Sequence, residues 1–377
     1  MPTAADLATR LRAWTYRRQF LDGGVPDPLE ALRRIVVAYS SHPSAPLTLL
    51  ARVPGLTPDA FAVLEERRDA IRIPAVRLAI SLVPTDIAPR VFAATRQPVE
   101  KFARNLDWAK IAPADYAALK RRALEIAREP IGAKDLQAAL AAGDTADAKL
   151  MTAVRVMAYE GVVLRLGGGL RSDSLRYVAT DAWLGEPLAE ADPVASLVWL
   201  ADAYLRAYGP ARPADFAWWA GSTKTRATAA LAGIRTVDLG DGLLLPADQE
   251  SAFAVTEPLD PEALALLPKW DSYTMGLAPD GRDRLVAAAH LKRAYSTAGS
   301  GTGATSGDGL PLVLRGGEAV ATWSQRFTGN ALRIEVTPFV PEATLPDRIK
   351  DAFSAVGRLL GASSADVASF ANDRPRL

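Results

Sequence analysis

Apolar residues fall at every third or fourth position through "PADYAALKRRALEIAREP", where Tyr116, Leu119, Ala123, Ile126 and Ala127 form one stripe that ends at Pro130. That period is helical, and the proline marks its stop. "GAKDLQAALAAG" and "TADAKLMTAVRVMAYEG" follow as two further helices, each closed by glycine. "VVLRLGGGLRSDSLRYVAT" then reads as two strands around a glycine-rich turn. Three helices and a hairpin is the order of a winged helix.

The order returns downstream. "DPVASLVWLADAYLRAYGP" is a helix with a Gly-Pro stop, "ARPADFAWWAG" and "STKTRATAALAGI" supply two more, and "RTVDLGDGLLLP" is a hairpin on a "GDG" turn. Pro130 and Asp135 recur 80 positions later as Pro210 and Asp215, which places an acidic residue in the first turn of each second helix. A more degenerate unit precedes both. In it "PLEALRRIVVAYS" is a helix, "PSAPLTLLARVPG" an interrupted second, and "TPDAFAVLEERRD" a third with Thr57 as N-cap and Pro58 at its first position. "AIRIPAVRLAISLVP" is its hairpin.

Beyond Thr256 the period becomes two. "LVLRGG", "AVATWSQRF" and "ALRIEVTPFV" read as strands, and "LPDRIKDAFSAVGRLLG" as a closing amphipathic helix. "GSGTGATSGDG" lacks the lysine and the strand-to-helix setting of a phosphate loop, so it reads as a hairpin tip. The expected fold is α+β. A winged helix with an N-terminal helical extension spans 1–105, two more span 106–190 and 191–256, and a small β-barrel, or alternatively a curled sheet, with a C-terminal helix spans 257–377.

Composition narrows the chemistry. The 377 residues contain no cysteine, which excludes disulfides, thiol catalysis and iron–sulfur clusters. With two histidines, His42 and His290, a His-rich catalytic metal site is disfavoured, and we expect no metal and no cofactor. No segment reaches the roughly 18 apolar residues of a membrane span, and "MPTAADLATRLRAW" has no cleavable apolar core, so the expectation is a cytoplasmic protein with no membrane partner. A net charge of +1 argues against a wholly basic nucleic-acid coat. Local clusters such as "RLRAWTYRR", "KRRALEIAR", "RDRL" and "LKRAY" leave room for a basic channel. Tandem winged helices point to double-stranded DNA, with protein scaffolding as the alternative.

One resemblance is specific. "AYLRAYGPARPADFAWWAG", then "LLPKWDSYTMGL", "RDRL" and "HLKRAY", then "GGEAVATW" and "EVTPFVP" are similar, in order, to the bacterial winged-helix family of the YcaQ and AlkZ DNA glycosylases. The similarity runs from about residue 30 to about 360. It implies three winged helices and a C-terminal barrel around a DNA channel, and excision of N7-alkylated purines in DNA repair or self-resistance. The family's catalytic motif is a glutamine, an apolar residue, then glutamine or aspartate, at a helix end before an "ArgXaaProGlyLeu" turn. Here the position reads Tyr39-Ser40-Ser41, followed by His42 and Pro43, and a histidine frequent in the following hairpin is replaced by Ser81.

An N7-alkylated purine is cationic and leaves readily, so catalysis needs only a stabilised oxocarbenium-like sugar and a positioned water. Hydroxyls of Tyr39 and Ser41 can orient water, and a histidine can take its proton. The functional reading is a variant site of Tyr39, Ser41 and His42 with Asp271 of "KWDSY" across the channel. The structural alternative is that Ser40 and Ser41 end one helix while His42-Pro43 begins the next. Arg282, Arg284, Lys292, Arg293 and Arg77 are the candidate DNA-binding residues, with a solvated face as their alternative. Of Trp218 and Trp219 at least one ring belongs to the core. The expectation is a monomeric, nucleoid-associated, monofunctional glycosylase that attacks C1′ with water. The alternative is a catalytically inactive DNA-binding protein, a lesion sensor or regulator.

Overall fold

Side-chain caps followed by prolines set the helix starts. Asp27 accepts from Leu29 N before Pro28–Ile35, Thr57 from Ala60 N before Pro58–Glu66, and Asp192 from Ala195 N before Pro193–Tyr208. The computed structural model describes residues 4–40, 44–141, 147–167, 169–171, 174–296, 308–340 and 348–369. Of the expected site, Ser41 and His42 lie outside the described residues, as does most of the "GSGTGATSGDG" loop.

Around residue 36 the structure departs from expectation. The first helix stops at Ile35 because Val36 takes a φ of +69°, and the chain continues extended. Ala38–Tyr39 is therefore a short strand and not a helix end, paired antiparallel with Ile80–Pro84 so that Tyr39 faces Ser81 across the ladder. The helices Ala45–Leu50 and Pro58–Glu66 and the strand Ala70–Pro74 complete this part of the chain.

Helices Pro113–Ile126, Ala133–Leu140 and Asp147–Tyr159 precede strands Val163–Leu166 and Arg176–Ala179, the order that the periodicity predicts. Helices Pro193–Tyr208, Pro213–Ala220 and Lys224–Ala232 precede Thr236–Asp238 and Leu244–Pro246 in the same way. The earlier hairpins share one six-stranded antiparallel sheet, in which Ala70–Pro74 meets Val163–Leu166 through the pair Arg72 and Arg165.

The expected barrel is an open sheet. Its five strands run in the order Ser364–Ser369, Ala331–Pro338, Glu318–Thr328, Leu312–Arg315, Leu264–Leu267, and its two edge strands do not pair with each other. Ile349–Leu359 carries the chain to a parallel edge strand. It buries Phe353 and Val356 in the same core as Trp323, Ile334 and Val336. The apolar face is thus covered by a helix, which removes the need for the sheet to close on itself.

A buried aromatic cluster sits at the centre of the molecule. Tyr204, Tyr208, Phe216 and Trp219 pack with ring centroids 5.0–6.4 Å apart. Trp219 is the core ring of the tryptophan pair, and Trp218 is half-buried. The Tyr208 hydroxyl donates to Ile35 O and the Tyr204 hydroxyl to Gly276 O, so the helix Pro193–Tyr208 is tied to the end of Pro28–Ile35 and to "WDSYTMG". Only glycine fits at 276, because a Cβ there would lie 2.4 Å from the Tyr208 ring.

Candidate active site

The strand that carries Tyr39 is held from three sides. Ser40 N and Oγ both donate to Ile80 O, at 2.9 and 3.2 Å. Its carbonyl accepts from the Arg72 guanidinium at 3.1 Å. The remaining nitrogens of buried Arg72 form a fork to Glu65, 3.0 Å to each carboxylate oxygen, and Glu65 also accepts from Gly167 N. The segment that replaces the expected motif is therefore anchored by hydrogen bonds at Ser40.

Opposite it stands Trp270, whose ring centroid lies 4.4 Å from that of Tyr39. Trp270 has a φ of +58°, a strained value for a bulky residue, and its N–H donates to Gly309 O. Ser272 Oγ donates to Val37 O at 2.9 Å. Between these walls is a cavity of about 210 Å³ lined by Tyr39, Ser81, Arg77, Trp270, Ser272 and Asp308, among others. A larger cavity of about 350 Å³ lies beyond Lys269 and Leu310, but neither Tyr39 nor Ser81 reaches it. The smaller one is the candidate site because it gathers the motif positions.

Asp271 is not part of it. Its carboxylate is fully buried, held by both terminal nitrogens of Arg52 at 2.9 and 3.0 Å and by Tyr273 N. The expected catalytic aspartate thus fixes the loop behind the cavity wall, while its neighbours Trp270 and Ser272 face the cavity. The carboxylate that does line the cavity is Asp308, which sequence reasoning missed. It lies in "SGDG", where neighbouring glycines suggest only a turn.

The five candidate DNA contacts divide. Lys292 and Arg77 are exposed. Arg282 is buried, with its guanidinium over the rings of Tyr295 and Trp218 at 4.0 and 5.0 Å. Half-buried Arg284 donates to Pro210 O, and half-buried Arg293 to the carbonyls of Phe339 and Pro338. The guanidinium groups of these three thus contact rings or backbone carbonyls of the fold itself. Arg77 is a mixed case. The residue as a whole is exposed, yet its guanidinium stacks 3.9 Å from the centre of the Trp218 ring. Burial of that head, then repulsion from Arg282, lowers its pKa to about 10. His290 stacks on Phe339 at 4.9 Å. No group of three His, Asp or Glu able to hold a metal occurs among the described residues, and no described helix is long and apolar enough to cross a membrane.

A family profile described as DNA glycosylase AlkZ-like matches residues 32–362. The chain belongs to the AlkZ-like DNA glycosylase family. Among solved structures it is similar to the DNA glycosylase AlkZ of Streptomyces sahachiroi, with a TM-score of 0.74 over 98% of this chain and 100% of that one. Sequence identity is 19%, so this likeness speaks for a shared mixed α+β fold. No curated protein sequence matches the chain. The cavity beside Tyr39 brings together the hydroxyls of Tyr39, Ser81 and Ser272 and the charges of Arg77 and Asp308.

Proposed function

We propose that this AlkZ-like protein excises N7-alkylated or bulky cationic purines from double-stranded DNA, by water attack at C1′, with DNA held between three winged helices and the C-terminal sheet. The observation that supports this reading is the cavity itself. Tyr39 and Ser81 meet across adjacent strands, face Trp270, and share the space with an arginine and an aspartate. At about 210 Å³ the cavity is below the roughly 300 Å³ at which drug-sized pockets begin, so it suits one sugar and its water better than a whole extruded adduct. A bulky lesion then stays outside while its sugar is attacked. Tyr39 orients the water, with the hydroxyls of Ser81 and Ser272 as further neutral polar groups in a lining that also includes Val37, Val76 and Met275.

The test is incubation of the protein with duplex DNA carrying a single N7-alkylguanine, scored as abasic sites after alkaline cleavage. Tyr39→Ala and Tyr39→Phe are assayed in parallel. Excision that fails in both variants supports the reading. Tight binding without excision of small or bulky adducts would leave a non-enzymatic lesion sensor, the reading that the uncharged motif side favours.

A further inference from the structure

Loss of a cationic purine leaves positive charge on the sugar, and a negative charge fixed beside it in a partly enclosed site stabilises that charge as it develops. The hydroxyls of Tyr39, Ser81 and Ser272 are neutral near pH 7, and Arg77 has the wrong sign. Among the described residues that line the cavity, Asp308 is the only carboxylate.

Asp308 is held in place by backbone pairing. Asp308–Gly309 pairs antiparallel with Tyr295–Ser296, and Gly309 O accepts from Trp270 N at 3.0 Å. A Cβ at Gly309 would lie 3.0 Å from Met275 Sδ and 3.1 Å from Thr274 Oγ1, so the ribbon is seated closely on the "DSYTMG" segment. The Asp308 side chain remains 34% exposed, whereas that of Asp271 is 0% exposed. Lys269 Nζ stands 3.9 Å from its Oδ2, a loose ion pair at a distance beyond a hydrogen bond, so both carboxylate oxygens can still accept from a water or face a cationic sugar. Lys269 also lies over the Trp270 ring, at 3.9 Å. Asp308 thus combines charge, access and a fixed place in the wall.

Building on the glycosylase reading, we infer that the Asp308 carboxylate is the charged catalytic group of this site, sharing the cavity with Tyr39 and Ser81. As the C1′–N9 bond breaks, its electron pair leaves with N9 and neutralises the purine. Asp308 balances the charge on the sugar, and as water bonds to C1′ the carboxylate accepts its proton and passes it to solvent. The products are the free base and an abasic site. No further reactant is needed.

Two measurements test this. The first is single-turnover excision of N7-alkylguanine. Asp308→Asn, which keeps shape and removes charge, lowers the rate about 100-fold or more while affinity for undamaged duplex is retained. The second needs no turnover and compares binding to duplexes with a cationic pyrrolidine abasic analogue or a neutral tetrahydrofuran one. The wild-type protein prefers the cation about 10-fold, Asp308→Glu keeps part of that preference, and Asp308→Asn abolishes it. Wild-type excision rates in Asp308→Asn, or a cation preference that survives the substitution or is absent from the wild type, would overturn the inference. A wild type that excises nothing yet shows a preference dependent on Asp308 would sink the proposed function and leave this charge assignment standing.

Discussion

Arg52 and Asp271 form a two-pronged ion pair, 2.9 and 3.0 Å, from which both side chains are wholly shielded. Gln19 Oε1 and Thr48 O accept a further hydrogen from each terminal nitrogen, so the pair joins the residue after the N-terminal helix Ala4–Arg18, the helix Ala45–Leu50 and the loop behind Trp270. Removing one partner of such a pair strands the other charge away from water. Asp271→Ala should therefore destabilise the fold by about 3–5 kcal/mol in urea unfolding, while Arg52→Met with Asp271→Leu recovers much of the loss. If Asp271→Ala abolished excision with unchanged stability, the pair would be part of the chemistry instead.

Arg72 touches no cavity atom but sets where the Tyr39 strand ends. Lysine keeps its charge and cannot hold Ser40 O and both Glu65 oxygens at once. Arg72→Lys is expected to slow excision about 10- to 100-fold, as small misplacements of reacting groups do, with duplex affinity within a few-fold of wild type. Kinetics and fluorescence anisotropy on the same preparation check this.

The salt dependence of DNA binding separates the exposed cations from the internal ones. Lys292→Ala should reduce the slope of log K against log salt by about one unit and leave the melting temperature unchanged. Arg293→Ala should do the reverse, since its hydrogen bonds go to Phe339 and Pro338.

Gly221 ends the helix Pro213–Ala220 at a φ of +68°, and a Cβ there would stand 3.0 Å from Arg77 Cα and 3.1 Å from Arg77 N. Gly221→Ala combines a strained backbone with a steric conflict at the hairpin tip. A loss of about 1–3 kcal/mol by thermal melting is expected, together with weaker DNA binding through displaced Arg77.

Acid should remove a modest part of the stability. The Arg212 guanidinium hydrogen-bonds Asp280 and holds its carboxyl below the usual aspartate range, against a smaller opposing effect of burial. A carboxyl whose folded value is depressed stabilises fully above its unfolded value, and that contribution disappears as pH falls through the folded one. Wild type and Asp280→Asn should differ in melting temperature at pH 6 and converge as the pH falls through the depressed folded value of Asp280. The gap will be small, because Asp280 is largely exposed.

Helix positions were legible because their signals are local. Thr57 with Pro58 announces a cap and a first turn in adjacent letters and occurs as read, and Asp192 with Pro193 is built the same way. The strand at Tyr39 was hidden because its partner Ser81 lies on a distant hairpin. Asp271 looked available because Arg52, 219 positions away, gives no sign of it in the sequence. The parallel edge strand was not read, because "SADVAS", with mostly small side chains, lacks the β-branched and aromatic run that marks a strand. Asp308 was obscured by its glycine neighbours.

Glu65 reaches two things at once, the Arg72 fork and the backbone N–H of Gly167, where a Cβ would collide with Arg72 at 2.3 Å. It works as a strut between the second hairpin and the strand of Tyr39. A load that pulls the hairpin at Gly167 outward tugs on Glu65, slackens the fork, and loosens the grip of Arg72 on Ser40. Strain borne by the second hairpin is thereby transmitted to the end of the strand that presents Tyr39.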